Sequence, residues 1–208
     1  MPANSKNLIE DGIPAGTWNK YQSRNPIQRF LVNRFLERLR QMAEPYASEK
    51  MTAVDVGCGE GTTTKLLRDL GFDQIIGYDF SDSVLGEARS SFPDIPFKQK
   101  NIYELNEDDR FAFVSACEVL EHLDDPERGL RQLAKICQDT ALFSVPNEPL
   151  FRGLNLCAGK YVTALGNSPG HLNHWNSRSF VRFVQREFNV KAVSTPMPWT
   201  IVIAQPKS

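Results

Sequence analysis

The sequence has no excess of charge of either sign. Lys and Arg number 24 against 25 for Asp and Glu, so the formal net charge of the 208 residues is −1. General nucleic-acid binders usually carry a strongly basic domain, and this balance argues against that class of protein. The charge is nevertheless uneven, because the stretch from Lys20 to Arg40 holds several basic residues and one acidic residue, Glu37. Such a run is typical of a solvated helix face, or of a surface that meets an acidic substrate or an anionic membrane.

Paired cysteines and long apolar runs are also missing. The four cysteines, Cys58, Cys117, Cys137 and Cys157, form no CxxC pair and no regular framework, which predicts reduced thiols in a cytoplasmic protein. The N-terminal stretch MPANSKNLIE has no apolar signal core, and no apolar run approaches the length of a membrane span. We therefore expect no transmembrane segment and at most peripheral contact with a membrane.

The sequence has instead a regular alternation of short apolar runs and helical patterns. Strands are predicted at MTAVDV (51–56), QIIGYD (74–79), near 96–100, FAFVSAC (111–117) and TALFSV (140–145). Helices are predicted from Pro26 to Pro45, over 62–70, from the N-cap Ser81 to Ser91, and over 126–137 and 177–188. VKAVST and WTIVIAQ follow as a closing antiparallel pair. Strands and helices that alternate in this way predict an α/β sheet with helices on both faces.

Three glycines, Gly57, Gly59 and Gly61, follow the first of these strands in the stretch VDVGCGEG. Glycines at this place permit a tight turn and let backbone N–H groups approach a ligand closely. Asp79 ends the second strand, where a carboxylate can accept hydrogen bonds from both hydroxyls of a ribose. A cofactor that carries a nucleoside is therefore expected beside the loop.

The charge of the loop favours one class of nucleoside cofactor. A dinucleotide site has the spacing GxGxxG, whereas this loop reads GxGxG and contains Glu60. Glu60, together with Asp55 at the end of the strand, repels a pyrophosphate but tolerates a sulfonium and an ammonium group. The electrostatics therefore favour S-adenosylmethionine over a dinucleotide.

With these motifs the sequence resembles the class I S-adenosylmethionine-dependent methyltransferases, strongly over 50–147 and loosely elsewhere. VDVGCGEG is similar to the first motif of the family, GYDFS to the second, KNIYEL to the third, SACEVLEHLDDPERGLRQLAKI to the fourth and LFSVPNE to the fifth. The resemblance implies a single doubly wound, mostly parallel sheet of seven strands with an antiparallel last strand. It implies S-adenosylmethionine as the cofactor, and within the family it points to the ubiquinone- and menaquinone-pathway enzymes.

The resemblance also implies which residues contact the cofactor. Asn101 stands where the family usually has Asp, and its side-chain oxygen can bind the adenine amino group. The implied contacts are Asp55, Gly57, Cys58, Gly59, Asp79, Phe80, Asn101, Ile102 and Glu118.

The stretch EVLEHL (118–123) holds two carboxylates and an imidazole. The spacing of Glu118, Glu121 and His122 predicts that they share one face of a helical turn. In one interpretation the polar side chains only solvate the next helix; in another, His122 removes a proton from the acceptor. In a third, they bind a divalent metal with a later histidine such as His174, as the resemblance to ubiquinone-pathway and small-RNA 2′-O-methyltransferases implies. We predict a catalytic His122, no metal, and activity that is indifferent to a chelator.

A long irregular segment, 146–176, interrupts the alternation after the fifth strand, and segments of this kind are often functional. We expect this insertion and the N-terminal arm to form a lid that aligns the reactants and excludes water. Its HLNHW stretch supplies His174 as a second catalytic candidate, or else forms a stiff turn with Trp175 in the core. The predicted acceptor contacts are Trp18, Tyr21, His171 and Trp175. The aromatic rings of Trp18, Tyr21 and Trp175 would favour the sulfonium through cation–π contact.

The length suits one methyltransferase domain over 1–208. Its predicted parts are an arm and helix (1–45), a cofactor-binding core (50–145), the lid-like insertion (146–176), and a last helix with closing strands (177–208). The predicted function is methyl transfer to a small-molecule acceptor, at an oxygen atom. The alternatives are a metal-dependent RNA ribose 2′-O-methyltransferase and a cofactor-binding partner subunit without activity.

Overall fold

A computed structural model of the protein describes residues 8–10, 13–15, 25–148, 150, 153 and 171–207. The elements in chain order are β1 (Leu8–Glu10), β2 (Ile13–Ala15), α1 (Pro26–Ala43), β3 (Thr52–Val56), α2 (Thr62–Asp69), β4 (Gln74–Asp79), α3 (Asp82–Ser91), β5 (Phe97–Gln99), β6 (Phe111–Cys117), α4 (Pro126–Ile136), β7 (Cys137–Pro146), α5 (Ser177–Val184), β8 (Phe188–Ser194) and β9 (Trp199–Pro206). Short 3₁₀ turns lie at Glu44–Tyr46, Ile102–Glu104 and Leu120–His122.

Seven strands form one sheet in the order β5-β4-β3-β6-β7-β9-β8. The pairs from β5 to β7 are parallel, and β9 runs antiparallel to both of its neighbours. This confirms the predicted seven-stranded, mostly parallel sheet with an antiparallel last strand. The chain proceeds from β3 outward to β5, and then returns to the other side of β3 to place β6. Such a reversal opens a crevice at the carboxyl ends of the two central strands.

Helices pack against both faces of this sheet. Phe35 and Leu39 of α1 and Leu67 of α2 share one apolar cluster with residues of β3, β4, β6, β7 and β9. Leu133 of α4 and Phe180 of α5 belong to a second cluster, which takes the alternate residues of the same strands. Because successive strand residues point to opposite faces, strands covered on both sides read as continuous apolar runs.

Four helices begin directly after a residue whose side chain caps the first turn. The side chain of Ser81 accepts a hydrogen bond from Val84 N at the start of α3, as predicted. Asn25 and Asp125 cap α1 and α4 directly before a proline, and Asn176 forms a capping box with Ser179 at α5. These side chains satisfy backbone N–H groups that a helix leaves unpaired at its first turn.

Several predicted boundaries were wrong. Helix α5 ends at Val184 and not at 188, because Phe188 is buried as the first residue of strand β8. Strand β7 begins at Cys137, where it pairs with Phe111, so α4 passes into the strand without the predicted loop. The sequence predicted no strands in the N-terminal arm, yet β1 and β2 form an antiparallel pair there. No helix among the described ranges is both long and apolar enough to cross a bilayer.

Candidate functional site

The residues with predicted roles follow the carboxyl ends of the parallel strands. The glycine loop follows β3, Asp79 ends β4, Asn101 follows β5, and Glu118 follows β6. Because these strands run parallel, their carboxyl ends lie at one edge of the sheet. The sequence separation of these residues is large, yet the topology collects them around the crevice between β3 and β6.

The glycine loop adopts backbone conformations that favour glycine. Gly57, Gly59 and Gly61 have φ angles of 71°, 53° and 82°. The N–H groups of Gly57 and Cys58 both donate to Tyr78 O, at 2.7 and 3.0 Å, which ties the loop to β4. A Cβ atom added at Gly59 would meet nothing within 4 Å. The loop therefore has open space directly above Gly59, where a ligand can approach the backbone.

Asp79 is fixed beside this open space by two backbone donors. Its Oδ2 accepts a hydrogen bond from Gly59 N at 2.9 Å, and its Oδ1 accepts one from Ser81 N at 3.0 Å. A carboxylate oxygen can accept more than one hydrogen bond, so both oxygens can still receive ribose hydroxyls. The arrangement fits the nucleoside of the predicted cofactor.

Asp55 lies beneath the loop and is only 1% exposed. Ser115 Oγ donates to its Oδ1 at 2.5 Å, and Thr64 Oγ1 donates to its Oδ2 at 2.7 Å. Burial raises the pKa of Asp55 from 3.8 to about 6, although these two hydrogen bonds oppose the shift. Asp55 therefore joins β3 to β6 and α2 under the glycine loop, and its charge acts on the loop from below.

The remaining residues of the predicted cofactor set have structural contacts of their own. Burial, followed by the charges of Asp55 and Asp79, raises the pKa of the Cys58 thiol well above its usual value, so the group stays neutral. The backbone carbonyl of Phe80 accepts a hydrogen bond from Gln99, and Ile102 is buried. The side-chain oxygen of Asn101, which we expected at the adenine, accepts a hydrogen bond from Tyr103 N at 3.0 Å.

The prediction that Glu118, Glu121 and His122 share one helical face is wrong. The 3₁₀ turn begins at Leu120, and Glu118 precedes it with a φ angle of 60°. The Glu118 carboxylate accepts a hydrogen bond from Trp199 Nε1 at 2.7 Å and a longer one from Ser144 Oγ at 3.4 Å. The left-handed backbone at Glu118 thus separates it from the 3₁₀ turn that carries Glu121 and His122.

Glu121 and His122 meet His171. Potential metal-ligating atoms of these three residues lie within 4.8 Å of one another, and among the described residues Glu118 and His174 are not part of this group. The His122 and His171 rings are 5.0 Å apart in an edge-on arrangement. Asn173 holds the contact, because its N–H donates to Glu121 O at 3.0 Å and its side chain donates to Leu123 O at 2.6 Å.

The rest of HLNHW has the contacts of a packed turn. The Trp175 ring packs against Phe183 and Phe180 of α5 in tilted arrangements, with ring centroids 4.9 and 5.6 Å apart. His174 Nδ1 lies 4.0 Å from Glu148 Oε1. Trp18, Tyr21 and most of the insertion lie outside the described residues, so the predicted lid stays a prediction.

A family model described as a methyltransferase domain matches residues 27–194. The chain belongs to the methyltransferase domain family. Membership confirms the predicted family, and the matched residues include every strand of the seven-stranded sheet except β9.

One relative of this methyltransferase is the mitochondrial ubiquinone biosynthesis O-methyltransferase of Dictyostelium discoideum. The two are 28% identical over 187 residues, which cover 76% of this chain and 58% of the relative. The methyltransferase thus spans little more than half the length of this relative.

Solved structures share the fold. A Pyrococcus horikoshii protein matches with a TM-score of 0.68 at 17% identity, covering 92% of this chain and 96% of its own. Magnesium protoporphyrin IX methyltransferase from Synechocystis PCC 6803, solved with bound SAH, matches with a TM-score of 0.66 at 16% identity over 89% of each chain.

Several residues of the methyltransferase site carried no signal in the sequence. Thr64 and Ser115 bind Asp55, Trp199 binds Glu118, and Asn173 joins His171 to the turn after β6. Each contact joins different elements of the fold, and Trp199 lies 81 positions from Glu118. Only its position in HLNHW, between the two candidate residues His171 and His174, could have drawn attention to Asn173.

Proposed function

We propose that this methyltransferase transfers a methyl group from S-adenosylmethionine to an oxygen atom of a small-molecule acceptor. One observation carries the proposal: the open space above Gly59 and the fixed Asp79 carboxylate share a sheet edge with the paired rings of His122 and His171. The ubiquinone biosynthesis O-methyltransferase relative supports oxygen as the acceptor atom.

When bound, the cofactor would supply a methyl group that is carried on a sulfonium. The sulfur would leave as a neutral thioether. In our proposal Asp79 accepts both ribose hydroxyls, and the loop from Gly57 to Gly61 lets the cofactor approach the backbone. Asn101 and Ile102 flank the adenine. The Glu118 carboxylate, which follows β6, faces the ammonium group on the amino-acid end of the cofactor. Opposite charges in a partly desolvated crevice attract more strongly than in water.

On the acceptor side, we propose that His122 takes the hydroxyl proton, because a neutral imidazole is a suitable acceptor near pH 7. The resulting oxygen nucleophile would then take the methyl group that the cofactor supplies. His171 adjoins His122, while His174 remains a second candidate beside Glu148. We also propose that the chain forms one domain. Its insertion and N-terminal arm, with Trp18, Tyr21 and Trp175, would cover the acceptor and exclude water.

The test is a turnover assay that detects S-adenosylhomocysteine. Purified protein is incubated with S-adenosylmethionine and a panel of phenols, catechols and small carboxylic acids, and products are examined by mass spectrometry for O-methylation. We expect at least one acceptor to give a methylated oxygen. Cofactor binding without turnover across the panel would instead favour the partner-subunit alternative, and methylation only at nitrogen or carbon would contradict the proposed acceptor atom.

The geometry of Glu121, His122 and His171 favours a second candidate, a metal-dependent methyltransferase such as an RNA ribose 2′-O-methyltransferase. One carboxylate and two imidazoles suit several divalent ions, which would orient the acceptor oxygen and lower its pKa. Loss of activity with a chelator, restored by added divalent cation, would support this candidate. Activity that is indifferent to the chelator supports His122 as the proton acceptor.

A further inference from the structure

The carboxylate of Glu118, which follows β6, is held by an indole from β9, two strands away in the sheet. Trp199, the first residue of β9, donates its Nε1–H to Glu118 Oε2 at 2.7 Å. The indole is itself fixed, because Trp199 is 4% exposed and its ring packs on Phe35 of α1 at a centroid distance of 4.9 Å. A buried donor with a fixed ring sets the direction of the carboxylate that it binds.

The backbone of Glu118 is also held in an uncommon conformation. Its φ angle of 60° lies in the left-handed region, where residues other than glycine are rare. Glu118 N donates to Ser144 O at 2.9 Å. The side chain of the next residue, Val119, packs closely against Gly57, where an added Cβ atom would clash with Val119 Cγ2. Such conformations persist where the surroundings impose them, and they concentrate at ligand sites.

We infer that Trp199 is a positioning residue that aims the Glu118 carboxylate at the ammonium group on the amino-acid end of the cofactor. This inference rests on the proposed function. A free glutamate side chain loses rotamer freedom when it binds a cation, whereas a carboxylate that is already oriented loses less. The Trp199–Glu118 pair thereby makes affinity depend on the charged part of the ligand, and the glycine loop and Asp79 hold the nucleoside.

The test compares two ligands by calorimetric titration of the full chain. S-adenosylhomocysteine carries the ammonium group, and methylthioadenosine has the same nucleoside without the amino-acid end. Trp199→Phe keeps the ring in the core but removes the N–H donor, and Glu118→Gln removes the charge. Phe35→Leu is the matched control, because it disturbs the packing of the indole while leaving its N–H donor.

We expect Trp199→Phe and Glu118→Gln to weaken S-adenosylhomocysteine binding about tenfold, and methylthioadenosine binding by less than about twofold. Phe35→Leu should lower the melting temperature without this selective loss. Equal weakening for both ligands, or none in Trp199→Phe, overturns the inference while the proposed function stands. If the unmodified protein binds neither ligand, the proposed function fails and the inference fails with it.

Discussion

At the scale of single residues, three carboxylates near the crevice differ in their surroundings and therefore in their roles. Asp55 is buried under the loop between two hydroxyl groups, Asp79 receives two backbone N–H groups, and Glu118 receives an indole. Burial opposes ionisation, whereas hydrogen bonds to the charged form favour it. At Asp55 burial dominates, and it raises the pKa of the carboxyl to about 6.

The pKa of Asp55 leads to a prediction about stability and pH. The folded protein holds the proton more tightly than the unfolded chain, because the folded pKa is about 6 and the unfolded value is 3.8. The carboxylate therefore destabilises the fold above pH 6, and this penalty disappears as the pH falls from 6 toward 4. The full penalty is about 3 kcal/mol. Asp55→Asn should raise the melting temperature at pH 8 and raise it much less at pH 4.5.

Asp94→Asn, at an exposed site, is the control and should leave the melting curves unchanged at both pH values. An Asp55→Asn protein that is less stable than the unmodified protein at pH 8 would show that the hydrogen bonds of the carboxylate outweigh its burial.

The sequence was informative at this scale where a role depends on near neighbours along the chain. The glycine spacing and an acid at the end of the next strand were sufficient to predict that Asp79 lies beside the glycine loop, where its carboxylate accepts a hydrogen bond from Gly59 N. The position of Glu118 was not predictable, because the expected helical turn required an ordinary backbone and the structure has a left-handed one. Its indole donor comes from β9, and no local pattern reports a contact between such distant residues.

At the scale of elements, the glycine loop can be tested separately from the fold. Gly59 and Gly71 both have positive φ angles, 53° and 103°, and an added Cβ meets nothing within 4 Å at either position. Alanine at either site should cost about 1–2 kcal/mol of stability from backbone strain. Only Gly59→Ala places a methyl group where we propose that the cofactor lies, so it should also weaken S-adenosylmethionine binding at least about tenfold. Equal affinities in the two variants would mean that the cofactor lies elsewhere.

The turn after β6 and the segment from His171 to Asn173 form a second testable unit. If His122 accepts the acceptor proton, His122→Ala should lower turnover by about 10²–10⁴-fold and leave cofactor affinity nearly unchanged. The same two measurements on His171→Ala and His174→Ala show whether either of these histidines also contributes to proton removal. A structural role predicts instead earlier melting, with residual activity that follows the folded fraction. Full activity in all three variants would exclude a histidine as the proton acceptor.

Strand and helix identities were largely predictable, because apolar spacing and capping residues act locally. The errors occurred where tertiary pairing decided the boundary. Cys137 extends β7 because it pairs with Phe111, and Phe188 begins β8 because its side chain is buried. The contact of Asn173 with Leu123 likewise depends on the folded arrangement of two distant segments.

At the scale of the whole molecule, the sheet order explains why motifs spread over 50–147 form one site. Parallel strands bring their carboxyl ends to one edge, and the reversal at β3 opens the crevice between β3 and β6. The cofactor side could be predicted because its residues belong to these strand ends. The proposed acceptor side depends on the N-terminal arm and the insertion, which are not strands of the sheet. For such segments the sequence shows which residues are present but not which residues they contact.

The central claim, that this edge binds S-adenosylmethionine through Asp79, is tested most directly by calorimetric titration of the unmodified protein and Asp79→Ala. We expect one cofactor per chain, no binding of NADH, and affinity lower by a factor of roughly 10–150 in Asp79→Ala, since hydrogen bonds to a charged acceptor contribute about 1.5–3 kcal/mol. Asp82→Ala, which removes an exposed carboxylate at the start of α3, should bind normally. Binding of NADH in place of S-adenosylmethionine, or unchanged affinity in Asp79→Ala, would contradict the account.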